Sequence, residues 1–116
     1  ARGTYVAKLT DQNATSWTFS SDIRLKDIQG TIQNGLAKVS LLRPVYFNWK
    51  DDELKTRKTG LIAQDVLEVL PEAVGGNEKD GYYVAYGNMV GLLIEAIKEL
   101  NSKVEFLEEK LNGQSK

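Results

Sequence analysis

The clearest hydrophobic pattern lies at the C-terminal end of the chain. Val90, Ile97, Val104 and Leu111 recur every seven residues, and Leu93, Leu100 and Leu107 follow the first three of them by three. Alternating steps of three and four are the a/d stripe of a heptad helix. The stripe predicts a helix over about 88–112, roughly 37 Å long at about 1.5 Å per residue. Alone in water that helix would leave seven large apolar side chains wet. A seam this narrow and sustained points to self-association rather than to packing on the body of the chain. β-Branched residues at a with Leu at d suit two strands, whereas Met89, Ile94 and Phe106 widen the apolar face toward three. Lys103 and Glu108 fall at g and e, where they suit an interchain pair, and Glu99 precedes Lys103 by four, the favourable order within a helix.

The rest of the chain reads as shorter elements. Thr4 to Leu9 and Ser16 to Phe19 resemble short strands in a stretch too small to bury a core of its own. From residue 21 the character changes, with Ile23, Leu25, Ile28 and Ile32 in a mixed run. Asn34 is a plausible N-cap for a helix through Leu36, Ala37, Val39, Leu41 and Leu42, stopped before Pro44. Val45 to Trp49 alternates as a strand, with Tyr46, Phe47 and Trp49 expected in the core or sheet. A charged loop over 51–58 leads to a second strand at Gly60 to Ala63. Gln64 to Leu70 reads as a helix ended by Pro71, 75–81 as a polar loop, and Tyr82 to Tyr86 as a third strand. The expected fold class is α+β: a small antiparallel sheet, short helices and a long C-terminal helix forming a coiled coil.

Composition narrows the chemistry. The 116 residues suffice for one modest domain. With 15 basic and 16 acidic residues and no basic cluster, nothing marks a nucleic-acid partner. No apolar run approaches a membrane span. The chain has no cysteine and no histidine, which excludes thiolate chemistry, imidazole ligands and a Ser-His-Asp triad. Any general base is a carboxylate, a lysine or a tyrosine. No metal or cofactor is called for, and Gly75 to Gly81 has neither phosphate-loop nor calcium-loop spacing.

Within those bounds, Ser21-Asp22-Ile23-Arg24-Leu25-Lys26 stands out, because a serine followed five residues later by a lysine can form a nucleophile–base pair. The plain structural alternative is an N-capping Ser21-Asp22 and a surface Asp22–Lys26 pair. Further elements follow in order: Leu42-Arg43-Pro44-Val45-Tyr46-Phe47-Asn48-Trp49; Gly60-Leu61-Ile62-Ala63-Gln64-Asp65-Val66; Leu70-Pro71-Glu72-Ala73-Val74; Tyr83-Val84-Ala85-Tyr86; and Leu92 to Leu100. Together these six elements resemble the C-terminal intramolecular chaperone domain of phage tail spikes and tail fibres, the self-cleaving kind of endosialidase tailspikes. Ala85 departs from the resemblance, since members often carry an acidic residue there.

The resemblance implies a homotrimer that assists folding of a fibre and then cuts itself off between Ser20 and Ser21. Residues 1–20 would be the end of the upstream fibre, and 21–116 the chaperone. The work would take place in the host cytoplasm during virion assembly, the fibre going to the tail and the chaperone being shed. Ser21 is carried over as nucleophile and Lys26 as base. A lysine accepts a proton only in its neutral form, which burial or a cationic neighbour favours. Arg24 is one such neighbour, Asp22 could orient Lys26 or cap the following turn, and Gln64 could face a site or a subunit interface. Attack on the preceding carbonyl and attack across chains are both open. The rival classes are a non-cleaving trimerisation domain and a coiled-coil adaptor for another protein. Trp17 and Phe19 would pack on a partner chain until release.

Overall fold

The computed structural model describes residues 20–114, so the strands expected at 4–9 and 16–19, and with them Trp17 and Phe19, lie outside the described residues. The chain forms two compact units, Ala1–Thr31 and Ile32–Lys116. In the first, the described stretch contains one 3-10 turn, Ile23–Leu25, which has no buried residue.

The second unit begins with a short helix, α1 (Gly35–Val39). It stops well before Pro44. Asn34 does occupy the N-cap position, but it is left-handed at φ 57° and its side chain makes no capping bond. The cap comes instead from Glu99 on the long helix, whose two carboxylate oxygens accept from Gly35 N at 2.9 Å and Leu36 N at 3.1 Å. Only glycine fits at the start of α1, since a Cβ on Gly35 would lie 2.7 Å from the Ala96 backbone nitrogen.

Two separate antiparallel hairpins replace the single sheet expected. In the first, β1 (Val45–Phe47) pairs with β2 (Lys58–Gly60), Tyr46 opposite Thr59. The expected strand at Gly60 to Ala63 is thus shifted toward the N-terminus, because α2 (Ala63–Val69) already begins at Ala63. Asp52 organises the connecting loop by accepting from Leu54 N and Thr56 N at 3.0 and 2.9 Å. Tyr46 and Trp49 are exposed rather than core residues. The Arg57 guanidinium covers the Tyr46 ring at 3.6 Å, and Trp49 packs edge-on against the half-buried Phe47.

In the second hairpin, β3 (Val74–Asn77) pairs with β4 (Gly81–Val84), so the stretch expected as a loop over 75–81 is half strand. Its Val-Gly-Gly-Asn sequence hides the strand, since glycine weakens strand propensity. The Tyr83 ring explains it: the ring lies over Gly75, where any Cβ would collide with it. The aromatic face supplies the packing that the glycine lacks.

A 3-10 turn at Tyr86–Met89 leads into α3 (Val90–Gln114), 25 residues long and close to the expected bounds. The core of this unit is Val66, Ala73, Met89 and Leu92, with Ile32, Val39, Leu42, Leu61, Leu70, Val74 and Val84 packed around it. Arg43 clamps Asp65 of α2 through two bonds of 2.9 and 3.0 Å. No helix among the described residues is long and apolar enough to cross a membrane.

Candidate functional site

The site predicted from sequence is assembled by one tight turn. Leu25 N donates to Asp22 O at 3.0 Å and Lys26 N to Ile23 O at 3.2 Å, which reverses the chain. The reversal brings Lys26 Nζ to within 2.5 Å of Ser21 Oγ, the lysine donating. Ser20, Ser21, Asp22, Leu25 and Lys26 line a shared pocket of about 200 Å³. Ser21 Oγ, Lys26 Nζ and the residue before Ser21 therefore stand together.

Asp22 pairs with Arg24. Its Oδ1 caps the turn by accepting from Arg24 N at 2.9 Å, and both oxygens take the Arg24 guanidinium, Nη2 to Oδ2 at 2.6 Å. The guanidinium holds the Asp22 carboxyl below the usual carboxylate range, and the carboxylate in turn raises Arg24. Of the two roles open to Asp22, the structure shows the cap rather than the orientation of Lys26. The charge of Arg24 is spent on Asp22 rather than left open beside the lysine. Ser21 and Lys26 are both exposed in the single chain. Gln64 stands on the exposed side of α2, in the second unit.

The helical stripe is also where the periodicity put it. Val90, Leu93, Ile97, Leu100, Val104, Leu107 and Leu111 are between 43% and 65% exposed. The body uses a neighbouring face of α3 instead, with Leu92 and Ala96 buried, Met89 buried just before the helix and Glu99 capping α1. The partition explains how one helix can serve a core and keep a continuous apolar seam outside it.

Sequence reading assigned Glu99 only a pairing with Lys103. No local signal marks it as a cap for amides 63 and 64 residues earlier. Glu95 lies beside it and shares a hydrogen bond, which lowers Glu99, together with the Leu36 and Gly35 amides, and raises Glu95.

A peptidase-family model described as "chaperone of endosialidase" matches residues 21–75, beginning at the serine of the turn. The chain belongs to the chaperone of endosialidase family. The chain is similar to the long tail fiber protein Gp37 of Enterobacteria phage K3, 36% identical over 106 residues that make up 85% of this chain and 8% of that protein. Gp37 of Enterobacteria phage M1 is 36% identical over 95 residues, 75% of this chain and 38% of that protein. The chain thus spans well under half the length of these relatives.

Proposed function

We propose that this chain is the intramolecular chaperone of a phage tail fibre, trimerising through α3 and releasing itself by cutting between Ser20 and Ser21. The observation that carries the reading is the 2.5 Å contact between Lys26 Nζ and Ser21 Oγ, in a pocket that Ser20 also lines. The names of the relatives supply the fibre, and the exposed heptad seam supplies the means of association.

The chemistry follows from the pair. Neutral Lys26 takes the hydroxyl proton as Ser21 Oγ attacks the Ser20 carbonyl carbon. The C–N bond breaks, the amide nitrogen leaves as the free amine of Ser21, and an ester links Ser20 to Oγ. Water then hydrolyses the ester, leaving a carboxylate on Ser20 and restoring the Ser21 hydroxyl. Because both side chains are exposed in one chain, the desolvation that favours a neutral lysine comes from assembly. Cleavage is then conditional on trimerisation, and the chaperone is shed only from an assembled fibre. These events belong to virion assembly in the host cytoplasm.

Intact-mass measurement of the parent chain beside Ser21→Ala and Lys26→Ala tests the reading. Fragments 1–20 and 21–116 in the parent alone are expected. A single uncut mass in all three, with the chains assembled, would leave a trimerising domain without protease activity.

A further inference from the structure

Among the described residues, the turn that joins Ser21 to Lys26 has little apolar support: Ile23, Leu25 and Ile28 are 73%, 42% and 61% exposed, and the 3-10 turn has no buried residue. The bonds described for it are polar. Two are the backbone bonds to Asp22 O and Ile23 O. Besides the Lys26–Ser21 bond itself, the others described end on one carboxylate, that of Asp22, which accepts from the Arg24 amide and from its guanidinium. An N-cap carboxylate fixes the first amides of a turn, and through them the direction in which the next residues leave it.

We infer that Asp22 is the positioning residue of this site: by closing the turn through the Arg24 amide it delivers Lys26 Nζ to Ser21 Oγ, without itself touching either. The inference rests on the cleavage reading given above. Within it, the backbone cap is the working part, because it is the bond that fixes the turn, and the guanidinium clamp is secondary. Asp22→Asn keeps an oxygen that accepts from the Arg24 amide, whereas Asp22→Ala removes it. Arg24→Leu keeps the cap and removes the clamp.

The cleavage rate, followed by intact mass across a range of pH, gives the first readout. Asp22→Ala is expected to cut about 3- to 30-fold more slowly, the rate equivalent of losing an N-cap side chain. The pH of half-maximal rate stays where it was. Asp22→Asn and Arg24→Leu stay within about 2-fold of the parent, since asparagine caps as well as aspartate. An Asp22→Asn as slow as Asp22→Ala, a shifted pH midpoint, or an Asp22→Ala at parental rate would each overturn the proposal. The second readout does not need cleavage. In the Ser21→Ala background, hydrogen exchange of the Arg24, Leu25 and Lys26 amides is expected to quicken with Asp22→Ala and not with Asp22→Asn. Exchange unmoved by Asp22→Ala overturns this proposal alone. A parent chain that never cuts overturns the reading of the site while leaving the exchange result to stand or fall by itself.

Discussion

A single charge in the seam of α3 is the most direct test of association. Ile97 is 65% exposed and sits near the middle of the heptad stripe. Fully burying an isoleucine side chain is worth about 1.5–3 kcal/mol, so covering the two-thirds that is exposed contributes about 1–2 kcal/mol per chain. In a trimer the three copies sum to about 3–6 kcal/mol, and Ile97→Asp forfeits all of it while bringing three like charges together. At about 1.4 kcal/mol per tenfold, the association constant falls by roughly two to four powers of ten. Within one chain the same substitution replaces an exposed residue and leaves the core of Val66, Ala73, Met89 and Leu92 untouched. Sedimentation equilibrium over a range of concentrations would read the change, with Ser102→Asp, exposed at an f position, as the control. The reasoning fails if Ile97→Asp associates as strongly as Ser102→Asp, or if the parent chain is monomeric at every concentration.

Two further outcomes are expected. Leu92→Ala removes a fully buried core residue and should destabilise the body by about 2–5 kcal/mol in denaturant unfolding. The Glu95–Glu99 pair has opposite signs of pH dependence. Glu99 is depressed by Glu95 and the two amides, so its contribution is present above its unfolded pKa and lost as pH falls through the lower folded value. Glu95 is raised by Glu99, so its contribution is present below its unfolded pKa and lost as pH rises through the higher folded value. Glu95→Gln keeps a donor toward Glu99 at every pH. It should therefore melt at a higher temperature than the parent at pH 7, with the difference vanishing below about pH 4, where an ordinary glutamate is protonated.

What was legible in the sequence was local. The heptad stripe needed only its own spacing, α2 was bounded by Pro71, and the Ser21–Lys26 pair closes over five residues. What was missed depends on partners distant in the chain or on side chains covering a weak backbone. Gly75 and Gly76 read as loop because nothing in Val-Gly-Gly-Asn announces that the Tyr83 ring will cover it. Asn34 reads as a cap because it is the right residue in the right place, yet its left-handed backbone leaves the work to Glu99, 64 residues on from Gly35. At the turn the sequence placed the right residues together but not their pairing. Asp22 had two cations within reach, Arg24 and Lys26, and only the geometry of the cap decides for Arg24.

The cap by Glu99 also marks where α3 leaves the body. From Leu100 to Gly113 every residue is exposed, and the run from 101 to the helix end is about 21 Å long at 1.5 Å per residue. That stretch is an interchangeable cassette. Insertions or deletions of whole heptads within it keep the seam in phase and leave Met89, Leu92, Ala96 and Glu99 on the opposite side of the join. In the proposed assembly, grip between chains can therefore be lengthened, shortened or swapped for an unrelated zipper while the fold upstream is inherited unchanged.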